Sequence, residues 1–395
     1  MQELADLTER LVAIPSHEDE TAAGDAIEEW LRTETDADVE RDAAGNVFAY
    51  KRAAGGDGIG GDTEETDATA GSDGSIAGTD PGAETLAFVG HHDVVPPAER
   101  QTTGAGTDGE YVVDRRDGRI YGRGTADMKG AVAACLLAFR DAAPPPGREL
   151  AVASFVGEET GGEGARHAIE AGFVPDTALV AEGSTHYSKQ GVTDIAVAHK
   201  GRRASTLVAA GETAHASEPA AGENAVYRAC DAVDVVRGLD APETTVADER
   251  VTGSVVVTMC HGGETWNVIP DRCEVTIDER TVPGKRADLA RAETVTGVEW
   301  VVDQDLPPMR CDDDAFADAA LAVAREVHDA RGLDRPEHVT KPHATDAGWL
   351  SAAGTECLVC GPSEPGEAHT ETESVSIDVL DRCRRLYAAL SEREW

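Results

Sequence analysis

Apolar and polar positions change rhythm along this chain, and each rhythm predicts an element. Residues 2–13 and 20–33 carry apolar side chains at helical spacing and predict two amphipathic helices. GNVFAYK (45–51) and TLAFVGHHDVV (85–95) predict strands. After YGRGTADMKG (121–130), the stretch 130–143 predicts a helix that begins at glycine and ends at a proline triplet. ELAVASFVG (149–157) predicts a strand, GARHAIEAG a helix, and TALVAEG (177–183) a further strand. Strands alternating with helices predict an α/β fold with a mostly parallel sheet flanked by helices.

The rhythm shifts near residue 186. The runs 193–211, 254–260 and 272–282 alternate apolar with polar, as half-buried strands do, and they surround a predicted helix at 223–238. An inserted α+β domain is therefore expected over 186–303, between the two parts of the first domain at 1–185 and 304–395. In the last part, helices are predicted at 314–331 and 376–391, with ECLVCG as a strand between them. Residues 53–83 are almost all Gly, Asp, Thr, Ala and Ser. Such a stretch cannot bury enough apolar area to fold and is expected to be a flexible surface insertion.

Composition narrows the class. A hydrophobic fraction of 41% over 395 residues supports a substantial core. No apolar run reaches the roughly 18–20 residues that span a bilayer. The acidic start lacks the basic, apolar pattern of a signal peptide, so a cytoplasmic protein is expected, with no membrane partner. Net charge is −40, from 75 acidic and 35 basic residues, only six of them Lys. The acid is spread along the chain, which fits a halophilic surface better than an acidic tail and disfavours nucleic acid. Cys357 and Cys360 form a lone CxxC among eight cysteines. Without a second pair they are expected to be buried structural thiols.

The candidate chemistry gathers at the ends of the apolar runs: GHHDVVP (90–96), YGRGTADMKG, GEETGG (157–162), VAEGST (180–185) and EAHTETE (367–373). Imidazole and carboxylate suit zinc, and a bridging carboxylate with a spare glutamate suits activation of water. Strand alternation puts His91 and Asp93 on one face and His92 on the other. His91 is thus the better ligand, with Asp93 placed to fix its tautomer. A lone His–Asp pair would equally suit a satisfied core histidine. Asp127 could be a helix N-terminal charge, but its glycine-rich setting favours a metal bridge. Glu158 and Glu159 diverge as neighbours, so one can face metal and the other substrate. Glu182 and His369 gain weight only as members of the set.

Together with GETAHAS (211–217) and NVIPDRCEVTIDER (267–280), these motifs closely resemble the dinuclear zinc metallohydrolases. That family includes succinyl-diaminopimelate desuccinylase, acetylornithine deacetylase, aminoacylase and related carboxypeptidases. The resemblance implies one zinc on His91, Asp127 and Glu182 and a second on Asp127, Glu159 and His369, with cobalt or manganese as substitutes. It implies Glu158 as general base and acid, Asp93 behind His91, and a cis peptide after Asp127. His215 would stabilise the oxyanion from the partner of a homodimer, so that 186–303 would be a lid and dimerisation domain. Asn267 and Arg280 would bind the substrate carboxylate. The implied substrate is a small N-acyl amino acid, first N-succinyl-diaminopimelate, with Lys200, Arg202 and Arg203 as cations for a succinyl group. Acetylornithine deacetylation, aminoacylase or dipeptidase activity, and a non-catalytic metal-binding relative are the alternatives. The chain departs from the family in the 53–83 insertion, in the segment 100–120, which lacks the usual Trp and Pro-Phe, and at Thr372, where Asn or Asp is usual.

Overall fold

The computed structural model describes residues 1–52, 83–103 and 110–395, so the predicted insertion, Ala83 apart, lies outside the described residues. The chain divides into two compact units. The first comprises 1–197, 310–339 and 345–395; the second comprises 198–309 and 340–344.

The first unit is built on a sheet whose order is Asp38–Arg41, Val47–Arg52, Arg148–Phe155, Glu84–His91, Thr177–Val180, Glu356–Val359, Ile195–His199, Met309–Arg310. His338–Lys341 also pairs with Ile195–His199. The four central strands, from Arg148–Phe155 to Glu356–Val359, run parallel to one another. Antiparallel strands flank them on both sides, so the sheet is mixed where a mostly parallel one was expected. The parallel strands need cover on both faces, which explains why Arg148–Phe155 is buried at every position, with an apolar run at its centre, Leu150–Ala153. Helix Lys129–Asp141 lies against Glu84–His91 and Arg148–Phe155, and it packs with Gln2–Val12 and Ile377–Ser391. No described helix is long and apolar enough to cross a membrane.

The second unit contains a four-stranded antiparallel sheet, ordered Ser254–Gly262, Arg272–Thr281, Gly201–Ala210, Val298–Leu306. Gly201–Ala210 and Arg272–Thr281 alternate strictly between buried and partly exposed positions. Their buried faces, with Leu207, Cys273, Val275 and Ile277, pack with Ala229, Ala232 and Val236 of helix Ala225–Arg237. A sheet covered on one side only is what an alternating pattern encodes.

The expected boundary at 186 differs from the observed one at 198. Residues 195–197 stay in the first unit because Ala196 pairs with Val359 of its sheet. The single strand expected over 193–211 is two, Ile195–His199 and Gly201–Ala210. Gly201 opens the second of these strands at a close approach, where a Cβ would lie 2.4 Å from Leu306 O and from Thr281 Oγ1.

Candidate metal centre

Most of the predicted ligands sit next to the end of a strand or helix of the first unit. His91 closes the strand Glu84–His91, and the Glu158–Glu159 pair follows Arg148–Phe155 by two residues. Glu182 lies just beyond Thr177–Val180, and Asp127 just before helix Lys129–Asp141. His91, Glu158, Glu159 and Glu182 thus stand at the carboxyl ends of parallel strands, where open α/β sheets collect ligands. His369 arrives on the loop before Ser374–Ser376, with φ +64° in the left-handed region.

Asp127 is the hub. One oxygen lies 3.1 Å from His91 Nε2 and the other 3.2 Å from His369 Nε2. Glu182 lies 3.4 Å from the same His91 nitrogen, and Glu159 lies 2.9 Å from His369 Nε2. Asp127 thus faces each imidazole with a separate oxygen, the disposition a bridging carboxylate needs. Two groups could each close on one ion: His91, Asp127 and Glu159, and His91, Glu158 and Glu182. Glu158, expected as a base, therefore stands within ligand distance of one position. The peptide bond between Asp127 and Met128 is cis.

Asp93 supports this arrangement. Its Oδ1 lies 3.2 Å from His91 Nδ1, and its Oδ2 accepts a 3.0 Å hydrogen bond from the backbone N–H of Glu159. The chain leaves the strand at His91, so Asp93 reaches the imidazole from the following segment and not by strand alternation. His92 is buried away from the centre, with Nδ1 2.9 Å from Ser154 Oγ.

The electrostatics report crowded acid. Burial lowers the proton affinity of His91, but Asp93, Asp127 and Glu182 outweigh it and hold the imidazole well above its usual pKa. Hydrogen bonds to Asp127 and Glu159 push His369 up to about 10. Burial, reinforced by Asp346, Glu182 and Asp127, raises Glu158 well above the usual carboxylate range. Hydrogen bonds from His369 and His91 overcome the burial of Asp127 and hold it low. Buried carboxylates in excess over two imidazoles are a donor set that divalent cations satisfy, and N/O ligands suit zinc, cobalt or manganese. The residues therefore fit a metal pair.

Two supporting acids were not anticipated. Glu373 Oε1 accepts from the backbone N–H groups of Ala126 and Asp127, and its Oε2 lies 2.5 Å from Arg123 Nη1. It anchors the loop that presents Asp127. Its signal was the last letter of EAHTETE. Asp346 is buried, and its Oδ1 has no hydrogen-bond partner among the described residues. Burial, with the carboxylates of Asp93, Glu182 and Glu159, pushes it up to about 8. It touches the GEETGG turn at Gly162, which has φ +74°, and where a Cβ would lie 2.5 Å from Trp349 Nε1 and 2.9 Å from Asp346 Oδ1. In KPHATDAGW a single Asp before a short helix looks like an ordinary cap, so nothing marked it.

The expected substrate residues lie in the second unit. Asn267 Nδ2 is 3.3 Å from His215 Nε2, so these two are brought together. Arg202 and Arg280 stand opposite each other on neighbouring strands and share Asp278, at 2.7 and 2.8 Å. Arg203 is not a spare cation. It is buried against Glu279 at 2.6 Å, donates to Ala287 O and stacks on Trp300. The thiols of Cys357 and Cys360 are free and buried.

Residues 87–393 match Peptidase family M20/M25/M40. The chain is 29% identical to a succinyl-diaminopimelate desuccinylase of Xylella fastidiosa over 79% of its own length and 84% of the relative's. It is 30% identical to an acetylornithine deacetylase of Myxococcus xanthus, over 79% and 80% respectively. Its fold is similar to aminopeptidase PepT of Bacillus cereus, with TM-score 0.74 at 18% identity over 98% and 97% of the two chains. It is also similar to the M20 metallo-carboxypeptidase Sso-CP2 of Sulfolobus solfataricus, with TM-score 0.69 at 15% identity over 99% of both chains. A matched region that takes in all the clustered acids and imidazoles places this chain in Peptidase family M20/M25/M40, as a metal-dependent hydrolase of amide bonds.

Proposed function

We propose that this chain removes the acyl group from an N-acylated amino acid, with N-succinyl-diaminopimelate as the first substrate to try. The observation that carries the reading is Asp127, which offers one oxygen to each of two histidines, with Glu158 beside them. His91, Asp127 and Glu182 would hold one ion and Asp127, Glu159 and His369 the other, zinc first, with cobalt or manganese as substitutes. Such a pair, when bound, lowers the pKa of water and polarises an amide carbonyl.

The chain's own residues do the rest. The Nδ1 proton of His91 is held by the backbone carbonyl of Asp93 at 3.1 Å, with the Asp93 carboxylate 3.2 Å away, so that Nε2 faces Asp127 and Glu182. Glu158 takes the proton of the attacking water and returns it to the departing nitrogen, a task that favours a carboxylate of raised pKa. His215, placed by Asn267, would donate to the oxyanion from the partner in a homodimer.

Arg280 and Arg202 support an acidic substrate. They are partly exposed and share one carboxylate, which leaves net positive charge for a substrate carboxylate. Lys200, with no ion pair among the described residues, could add to it. Arg203 drops out of this set. A succinyl group carries an extra carboxylate and an acetyl group does not, so these cations favour the succinyl substrate. Acetylornithine and dipeptides remain the competing substrates. Retention of Glu158 argues against a purely metal-binding role. A net charge of −40, spread along the chain, supports a surface adapted to high salt.

The test is amine release from N-succinyl-diaminopimelate and N-acetylornithine, side by side in molar salt, with added zinc or cobalt and with chelator. Chelator-sensitive cleavage of the succinyl substrate alone is expected. Cleavage of the acetyl substrate alone would overturn the succinyl assignment. Cleavage of neither by folded, metal-loaded protein would overturn both assignments, turn the search to peptides and other N-acyl amino acids, and raise the non-catalytic reading.

A further inference from the structure

In the second unit, Ser254–Gly262 is the edge strand and Arg272–Thr281 its neighbour. Their register sets Cys260 opposite Val275 and Gly262 opposite Cys273, so both cysteines point to the helix-covered face. The sulfurs of Cys260 and Cys273 lie 3.8 Å apart. A diagonal pair is normally too far apart for this. Gly262 makes the approach possible: a Cβ there would lie 2.7 Å from Cys273 Sγ, so the thiol occupies the space a side chain would fill. Cys260 is exposed on the edge and Cys273 is buried in the core. The register of the edge strand slips between Val257 and Met259, directly before Cys260, which leaves this end less tightly fixed.

We propose that Cys260 and Cys273 form a dithiol site that closes to an intrachain disulfide on reaction with a low-molecular-weight disulfide. The exposed Cys260 thiolate attacks one sulfur of the small disulfide. The small S–S bond breaks, and one thiolate leaves and takes a proton. Cys273 then loses its proton to solvent and attacks the Cys260 sulfur, expelling the second small thiolate. Two cysteines are oxidised and one small disulfide is reduced to two thiols. Burial pushes the Cys273 thiol up to about 11, which fits its acting second. Closure needs the sulfurs to approach to about 2.05 Å, a movement open to a cysteine on an edge strand. The bond would pin the loop end of the hairpin, next to the loop that carries Asn267.

The full-length protein is treated with oxidised glutathione, alkylated, digested and mapped by mass spectrometry, with and without later reduction. The expected result is a crosslinked peptide joining Cys260 to Cys273, loss of two of the eight thiols, and recovery of both with dithiothreitol. Cys260→Ser should abolish the crosslink, and Gly262→Ala should slow closure by displacing the Cys273 thiol. Glutathione held on Cys260 while Cys273 still alkylates would overturn the proposal. So would a crosslink to the exposed Cys230 in its place, or a Gly262→Ala protein that closes as fast as the parent.

Discussion

At the scale of single residues, Glu158 and Asp127 divide the work. Asp127 is held ionised by two imidazoles, whereas Glu158 is buried among other acids and holds its proton more tightly. Glu158→Gln removes the proton carrier and keeps the shape. The expected outcome is unchanged metal content, by atomic spectroscopy, with turnover reduced about 10²–10⁴-fold. A variant retaining full turnover would sink the role given to Glu158. His91, Glu158, Glu159 and Glu182 were legible because each follows an apolar run next to glycine, and Asp127 and His369 because they complete the set. Glu373 and Asp346 were not. Their significance lies in which backbone groups and carboxylates they meet, and those partners are far away in sequence.

At the scale of elements, period-two alternation carries information that a list of cations does not. Arg202 and Arg203 are adjacent in one strand, yet one faces outward with Arg280 and the other is buried on Glu279. Reading HKGRR as a cluster of equal cations missed this, although the alternation of the strand already separates them. The two arginines should therefore fail differently. Arg203→Ala leaves Glu279 buried and unpaired and should cost about 3–5 kcal/mol in urea unfolding. Arg280→Ala breaks a partly exposed pair and should cost less than about 1 kcal/mol. Its effect belongs in KM for an acidic substrate, raised roughly tenfold or more with the loss of a charge-assisted contact. Equal stability loss in both variants would show that alternation had been misread. The parallel strands were found easily but their boundaries less so. Continuous burial hides where a strand stops, as at His91, and the switch to antiparallel edges depends on partners the local pattern does not name.

At the scale of the whole molecule, charge decides how stability responds to solution conditions. Asp346 binds its proton with a pKa of about 8 in the fold against 3.8 ordinarily, and Glu373 with about 7 against 4.5. Both raised values mean that the metal-free fold takes up protons. Their contribution is full below the unfolded values and is lost as pH rises through the folded ones. The melting temperature of chelated protein should therefore fall from about pH 5 to about pH 8. Metal-loaded protein should fall less, because bound cations replace the protons as counter-charge, and equal slopes would speak against metal at this centre. The net charge of −40 adds self-repulsion that salt screens, so melting temperature should climb with KCl into the molar range. A flat salt response would argue against the halophilic reading.

The sheet order has a consequence for how the protein is made. Glu356–Val359 sits between Thr177–Val180 and Ile195–His199, yet the ribosome delivers it only after the whole second unit. Until then the nascent sheet has an open slot near its middle, with unpaired backbone on both sides and the His369 loop still untranslated. A slow step in translating the second unit would lengthen that exposure. Chaperone demand and aggregation during synthesis should follow codon choice in 198–309 more closely than codon choice in the chain's final third.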